Sequence, residues 1–194
     1  AEQGHAKAQF SLGISYANGQ GTMQNFEEAI KWFRLAAEQD DVIAQYNLGV
    51  IYLEGKIVAQ NYPEAVKWFH LAAKQGHAQA QFNLGVSYGN GQGVTQNDQE
   101  AVKWFRLAAE QGHTKAQYYL GLSYANKQGV TQDDQEAVKW FRLAAKRGDA
   151  AAQNNLGLRY GLGQGVAQDY VRAHMWFSLA TNRQKDAQEN RDKV

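Results

Sequence analysis

Glu100-Ala101-Val102-Lys103-Trp104-Phe105-Arg106-Leu107-Ala108-Ala109 returns 36 residues later, unchanged, as Glu136-Ala137-Val138-Lys139-Trp140-Phe141-Arg142-Leu143-Ala144-Ala145. The Trp-Phe pair at its centre also stands at Trp32-Phe33, Trp68-Phe69 and Trp176-Phe177, each with Leu-Ala two residues on. Leu-Gly pairs keep the same clock at Leu12-Gly13, Leu48-Gly49, Leu84-Gly85, Leu120-Gly121 and Leu156-Gly157, as do Tyr16, Tyr52, Tyr88, Tyr124 and Tyr160. A fixed period of this length marks a solenoid, in which each unit buries its apolar face only against its neighbours. Residues 76–111 and 112–147 differ at only 10 of 36 positions, so the copies share a backbone and their few variable sites are where function is to be sought.

Within one copy, Ala8, Leu12 and Tyr16 fall at i, i+4, i+8, which predicts a first helix, A, over Ala6 to Asn18. Gly13 sits where a helix interior favours alanine by about 1 kcal/mol, and it reads as a packing glycine at which another helix backbone crosses closely. A second helix, B, opens at the N-cap residues Asn25, Asn61, Asn97, Asp133 and Asp169, and carries Ala29, Trp32, Phe33 and Ala36 on one face. It stops near Gln39, where the equivalents Gly76, Gly112 and Gly148 suit a left-handed position. The Gly19-Gln20-Gly21 turn between the helices has no strand before it and no Lys-Ser/Thr after it, and the turn recurs in every copy although Ile57 and Lys127 break its glycine pattern in two of them. It reads as a structural turn and not as a phosphate loop.

Lys plus Arg number 20 against 19 Asp plus Glu, so no global field draws the chain to nucleic acid or to an anionic membrane. No apolar run approaches the roughly 18 residues of a membrane span. With no cysteine there are no disulfides, thiolate metal sites or cysteine nucleophiles, and the compartment stays open.

The strings Ala44-Gln45-Tyr46-Asn47-Leu48-Gly49, Tyr88-Gly89-Asn90-Gly91-Gln92-Gly93-Val94, Glu100-Ala101-Val102-Lys103-Trp104-Phe105 and Ala108-Ala109-Glu110-Gln111-Gly112 together resemble the Sel-1-like repeat (SLR) family, a relative of tetratricopeptide repeats. The resemblance covers residues 1–183 in five copies, about 4–39, 40–75, 76–111, 112–147 and 148–183. It implies an all-α fold: an α/α superhelical solenoid of five 36-residue helix-turn-helix units, with the A helices on the concave side. It also implies adaptors or scaffolds for other proteins, many of them bacterial. In the fifth B helix, Val171, Arg172, His174, Met175 and Ser178 depart from the other copies, as in terminal repeats of bacterial SLR proteins. Residues 184–194 accordingly read as the start of a truncated C-terminal capping helix. Ala1-Glu2-Gln3-Gly4 repeats Ala109-Glu110-Gln111-Gly112, so the chain reads as opening mid-repeat, and apolar faces at the ends of the array are expected to favour self-association.

Catalytic chemistry finds no foothold. His5, His77 and His113 share one repeat position with Asp41 and Asp149, which is a capping pattern, and no His-Glu-x-x-His occurs. Neither metal nor cofactor is expected. Cysteine-rich SLR proteins linked to penicillin binding or hydrolysis make a cell-wall or small-molecule, β-lactam-type enzyme the alternative. The chain lacks their cysteines and any Ser-x-x-Lys to activate a nucleophile. The aromatics lie at repeat-invariant positions without a basic groove, so packing accounts for them better than base stacking does. A purely structural spacer is a further alternative.

The variable positions of helix A remain. Lys7, Ile43, Gln79, Lys115 and Ala151 form one row; Ser11, Asn47, Asn83, Tyr119 and Asn155 a second; Asn18, Glu54, Asn90, Asn126 and Leu162 a third. At i, i+4 and i+11 the rows share a face. Side-chain amides bond both N–H and C=O of an extended backbone, and tetratricopeptide grooves resemble this in holding peptides with Asn. The expected site on the concave face is therefore Lys7, Ser11, Asn18, Asn47, Glu54, Gln79, Asn83, Asn90, Lys115, Tyr119, Asn126 and Asn155, with a protein or peptide as partner. The plain alternative is a solvated helix face.

Overall fold

The computed structural model describes the backbone of residues 2–191 and the side chains of residues 5–181. Ten helices follow in order: α1 (Glu2–Asn18), α2 (Phe26–Glu38), α3 (Val42–Glu54), α4 (Tyr62–Lys74), α5 (Ala78–Asn90), α6 (Asp98–Glu110), α7 (Thr114–Asn126), α8 (Asp134–Lys146), α9 (Ala150–Leu162) and α10 (Tyr170–Arg191). Among the described residues there is no strand, and the chain is an all-α repeat solenoid. It divides between Gln96 and Asn97 into two compact units, the first holding α1–α5 and the second α6–α10. The expected capping segment 184–194 falls on side chains outside the described residues.

The odd-numbered helices are the A helices and the even-numbered ones the B helices. Each B helix opens on a side chain that accepts a free backbone N–H: Asn25 from Glu28 at 3.1 Å, Asn61 from Glu64 at 3.0 Å, Asn97 from Glu100 at 3.1 Å, Asp133 from Glu136 at 3.0 Å. With these donors taken, the Gly-rich turn before them is a connector.

Within each unit, every helix packs on its neighbours in the chain. In the first, Ile30, Phe33 and Ala36 of α2 pack with Leu48 of α3 and Trp68 of α4. In the second, Ala125 of α7, Phe141 of α8, Leu156 and Tyr160 of α9 and Ala173 of α10 form one cluster. Leu48, Leu120 and Leu156 are wholly buried, whereas Leu12, at the same place in the first copy, is 37% exposed on α1.

The recurrent glycine of the A helix was expected to admit a helix backbone. A ring takes most of the space, and at Gly13 the backbone comes close as well, since a Cβ there would meet the Phe33 ring at 2.6 Å and the Ala29 carbonyl oxygen at 3.2 Å. A Cβ on Gly49, Gly121 or Gly157 would meet the ring of Phe69, Phe141 or Phe177 at 2.5 to 2.7 Å, because the following B helix presses its phenylalanine flat onto the gap. Sequence spacing shows that something large lies there but not what it is.

A second lock is a buried glutamine. Gln45 donates its Nε2 to the Ala37 carbonyl at 3.0 Å, and Gln81, Gln117 and Gln153 do the same to Ala73, Ala109 and Ala145 at 3.1 Å. Each bond ties an A helix to the last turn of the B helix before it, where carbonyls lack helical partners, and is worth about 0.5 to 1.5 kcal/mol.

Before the A helices, Asp41 and Asp149 accept from Ala44 and Ala152 at 2.8 and 2.9 Å, and the imidazole Nδ1 of His77 and His113 accepts from Ala80 and Ala116 at 3.2 and 3.1 Å. His5 is an exception, since α1 already runs through it, and its ring meets Gln9 instead at 3.1 Å. Burial holds both His77 and His113 below the ordinary histidine range. The cap also needs an unprotonated Nδ1. A base whose folded pKa is depressed contributes stability that is fully present above its unfolded value of about 6.5 and is lost as pH falls from there through the lower folded pKa, because over that interval the unfolded chain binds more protons. We expect urea midpoints to drop between pH 7.5 and 5.5, by up to about 1 kcal/mol per cap. His77→Asp with His113→Asp should remove most of that drop; an unchanged pH dependence in the double variant would locate it elsewhere.

Candidate functional site

The three polar rows lie on the A helices, some of their residues exposed and others half-buried. In the first unit Lys7, Ser11 and Asn18 of α1 are exposed, as are Glu54 of α3 and Asn90 of α5, while Asn47, Gln79 and Asn83 are half-buried. In the second unit Lys115, Tyr119 and Asn126 of α7 are exposed and Asn155 of α9 is half-buried. Asn18, Glu54, Asn90 and Asn126 are the last residues of their helices. At 1.5 Å per residue they stand about 10 Å along the axis from the Ser11/Asn47/Asn83/Tyr119 row, so each A helix offers a mid-helix group and an end group.

Several of these side chains already have partners. Gln79 Nε2 donates to Asn83 Oδ1 at 3.3 Å, which brings two of the expected residues together. Asn155 Nδ2 donates to the Ala151 carbonyl at 3.0 Å. Glu54 pairs with Lys56 at 3.0 Å, and Lys115 reaches the buried Asp149 carboxylate at 3.0 Å. The Tyr119 ring leans on Phe105 at 5.3 Å and meets Tyr118 edge-on at 5.6 Å. Asn155 also hydrogen-bonds the Tyr118 side chain.

The tyrosines spaced 36 apart do more than pack. Arg34 of α2 donates to the Tyr52 hydroxyl at 2.6 Å, Arg106 of α6 to Tyr124 at 2.5 Å and Arg142 of α8 to Tyr160 at 3.1 Å. The sequence signal was a constant 18-residue separation between arginine and tyrosine, which crosses a turn and so escapes a reading confined to one helix. In the first unit this pair edges an open cleft of about 670 Å³ lined also by Glu38, Asp40, Lys67 and Trp68. Lys67 stands 5.1 Å over the Trp68 ring.

Among the described residues no cluster of His, Cys, Asp and Glu could hold a metal, and no helix is long and apolar enough to cross a membrane.

The Sel1 repeat model matches residues 6–41, 42–77, 78–113, 114–149 and 150–184. A protective antigen of uropathogenic Escherichia coli strains that displays an SLR fold is 39% identical at a TM-score of 0.87, over 94% of this chain and 39% of that one. The chain thus spans about two fifths of that relative's length. A Sel1 repeat protein from Oxalobacter formigenes is 37% identical at a TM-score of 0.86, over 91% of this chain and 73% of that one. The Helicobacter pylori cysteine rich protein B is 19% identical at a TM-score of 0.53, over 66% of this chain and 92% of that one, which is a likeness of fold alone. No curated protein matches the chain. The chain belongs to the Sel1 repeat family. Proteins of this family generally serve as scaffolds for protein interactions, and their fold is typically non-enzymatic.

Proposed function

We propose that this Sel1 repeat chain is a non-enzymatic adaptor that holds extended segments of another protein against the mid-helix positions of its A helices, each compact unit presenting its own. One observation carries the reading: amides recur at Asn47, Asn83 and Asn155 although the fold does not ask for them. The adjoining Leu48, Leu84, Leu120 and Leu156 are wholly buried whether the neighbour is Asn or Tyr119. A half-buried amide beside exposed surface presents both donors and acceptors, the groups a peptide backbone pairs with.

The test is a partner captured with the chain and titrated against Asn83→Ala with Asn155→Ala. Each lost amide-to-backbone bond should weaken binding by about 0.5 to 1.5 kcal/mol, so the pair should reduce affinity roughly 5-fold to 150-fold if the effects add. Circular dichroism should be unchanged. Equal affinity of variant and parent would remove these rows from consideration.

A second copy is the other partner we propose. Leu12 on α1 and Val171, Met175 and Leu179 on α10 leave apolar surface open, and such surfaces associate. We expect the light-scattering mass to rise with concentration; a mass that stays monomeric at millimolar protein would dismiss the idea.

A further inference from the structure

The first-unit cleft edged by Arg34 and Tyr52 is lined also by Glu38, Glu64, Lys67 and Leu71, and 108 residues on, across α8 and α10, the same places hold Arg142, Tyr160, Lys146, Arg172, Met175 and Leu179. At equivalent places, 36 residues apart, Glu110 becomes Lys146, Glu136 becomes Arg172 and Lys139 becomes Met175, while the Arg106–Tyr124 pair is kept as Arg142–Tyr160. Two guanidiniums therefore converge on one phenol. Arg142 Nη2 donates to the Tyr160 hydroxyl at 3.1 Å and Arg172 Nη1 at 3.5 Å, with the Arg172 guanidinium 5.5 Å over the Tyr160 ring. Asp169, 3.2 Å from Arg172 Nε, is the carboxylate paired there; Arg142 has no carboxylate partner among the described residues. Burial pushes the Tyr160 phenol up, and the hydrogen bonds and charge of Arg172 and Arg142 more than offset this, holding it below the ordinary tyrosine range.

Like charges drawn together on a neutral oxygen repel each other, and an oxyanion placed between them turns that repulsion into charge-assisted hydrogen bonds. The cleft's rim is apolar, with Met175 and Leu179 both exposed. We propose that this cleft binds acidic side chains of a partner protein, Asp or Glu set among large apolar residues, through Arg142, Arg172 and Lys146. The carboxylate lies across the two guanidiniums beside the Tyr160 hydroxyl, and the apolar neighbours cover Met175 and Leu179. Its cations belong to the B helices α8 and α10, and apart from the Tyr160 hydroxyl of α9 it shares nothing with the A-helix rows, so it stands or falls apart from them.

The experiment is fluorescence anisotropy with a labelled, N-acetylated, C-amidated peptide of alternating glutamate and leucine, and the same peptide with glutamine for glutamate. We expect the glutamate peptide to bind at least about 10-fold more tightly than the glutamine one. Arg172→Glu, which installs the residue Glu136 supplies in the neighbouring cleft, should erase that preference, and Arg142→Gln should weaken it with helix content intact. Asn83→Ala with Asn155→Ala should leave it untouched. Equal binding of the two peptides would overturn the proposal, as would undiminished binding by both arginine variants. Displacement by inorganic phosphate where acetate is without effect would assign the cleft to a phosphate group instead of a carboxylate.

Discussion

Phe141→Ala will cost about 3 to 5 kcal/mol and will melt the second unit as a whole, not the fourth repeat alone. The ring is wholly buried, and the cluster it anchors draws on four helices, α7 through α10. Removing it leaves a cavity in that cluster, bordered by the Gly121 backbone of α7 and the Tyr118 ring, whose positions are fixed by the helix that carries them. Such walls collapse poorly, so the loss should sit toward the upper end of the range. In a repeat array each interface supports the next, so α9 and α10 should lose protection together with α8. Circular dichroism and hydrogen exchange decide the matter. A variant that melts like the parent, or loses protection only over Asp134–Lys146, would show that the Trp-Phe pair is not the hub of this packing.

The period made most of this fold legible. Five Trp-Phe pairs and five Leu-Gly pairs at one spacing define five helix pairs, and Asn25, Asn61, Asn97 and Asp133 mark where each second helix starts, since a cap is a local interaction between residues three apart. What crosses between helices was harder to see. Gln45, Gln81, Gln117 and Gln153 show in the sequence only as a recurrent residue, yet each is buried because its amide ties one helix to the carbonyl end of another. The donor and acceptor lie eight residues apart across a turn, and no helical periodicity connects them.

The candidate site was legible as a set of positions but not as a set of interactions. Variability among near-identical copies isolates Ser11, Asn47, Asn83, Tyr119 and Asn155, because invariant residues are accounted for by packing. The same comparison cannot show that Gln79 bonds Asn83, or that Lys115 is drawn to the buried Asp149 of the next A helix. Those contacts depend on side-chain reach between surfaces that only the folded unit brings together. The arginine pair on Tyr160 was hidden for the same reason: Arg142 and Arg172 lie in different repeats, and only Arg172 was conspicuous as a departure from glutamate.

Gly121→Ala should destabilise by about 1 to 3 kcal/mol, against the gain of about 1 kcal/mol that alanine normally brings to a helix interior. The added methyl would lie 2.7 Å from two ring carbons of Phe141, closer than real contacts allow, so either the ring or α8 has to move. Neither moves easily, because Phe141 is wholly buried and α8 is held by α7 on one side and α9 on the other. Two further variants separate crowding from any intrinsic effect of glycine. Gly161→Ala adds a methyl that meets only the Ala173 Cβ at an ordinary 3.7 Å, and Ala125 occupies this position in the preceding copy. That change should be neutral or stabilising by up to about 1 kcal/mol. Gly121→Ala combined with Phe141→Leu should cost less than the two single changes summed, by about 1 kcal/mol or more, since the smaller side chain vacates the space that the methyl needs. Additive losses across that cycle would mean that the glycine is kept for some reason other than the ring above it.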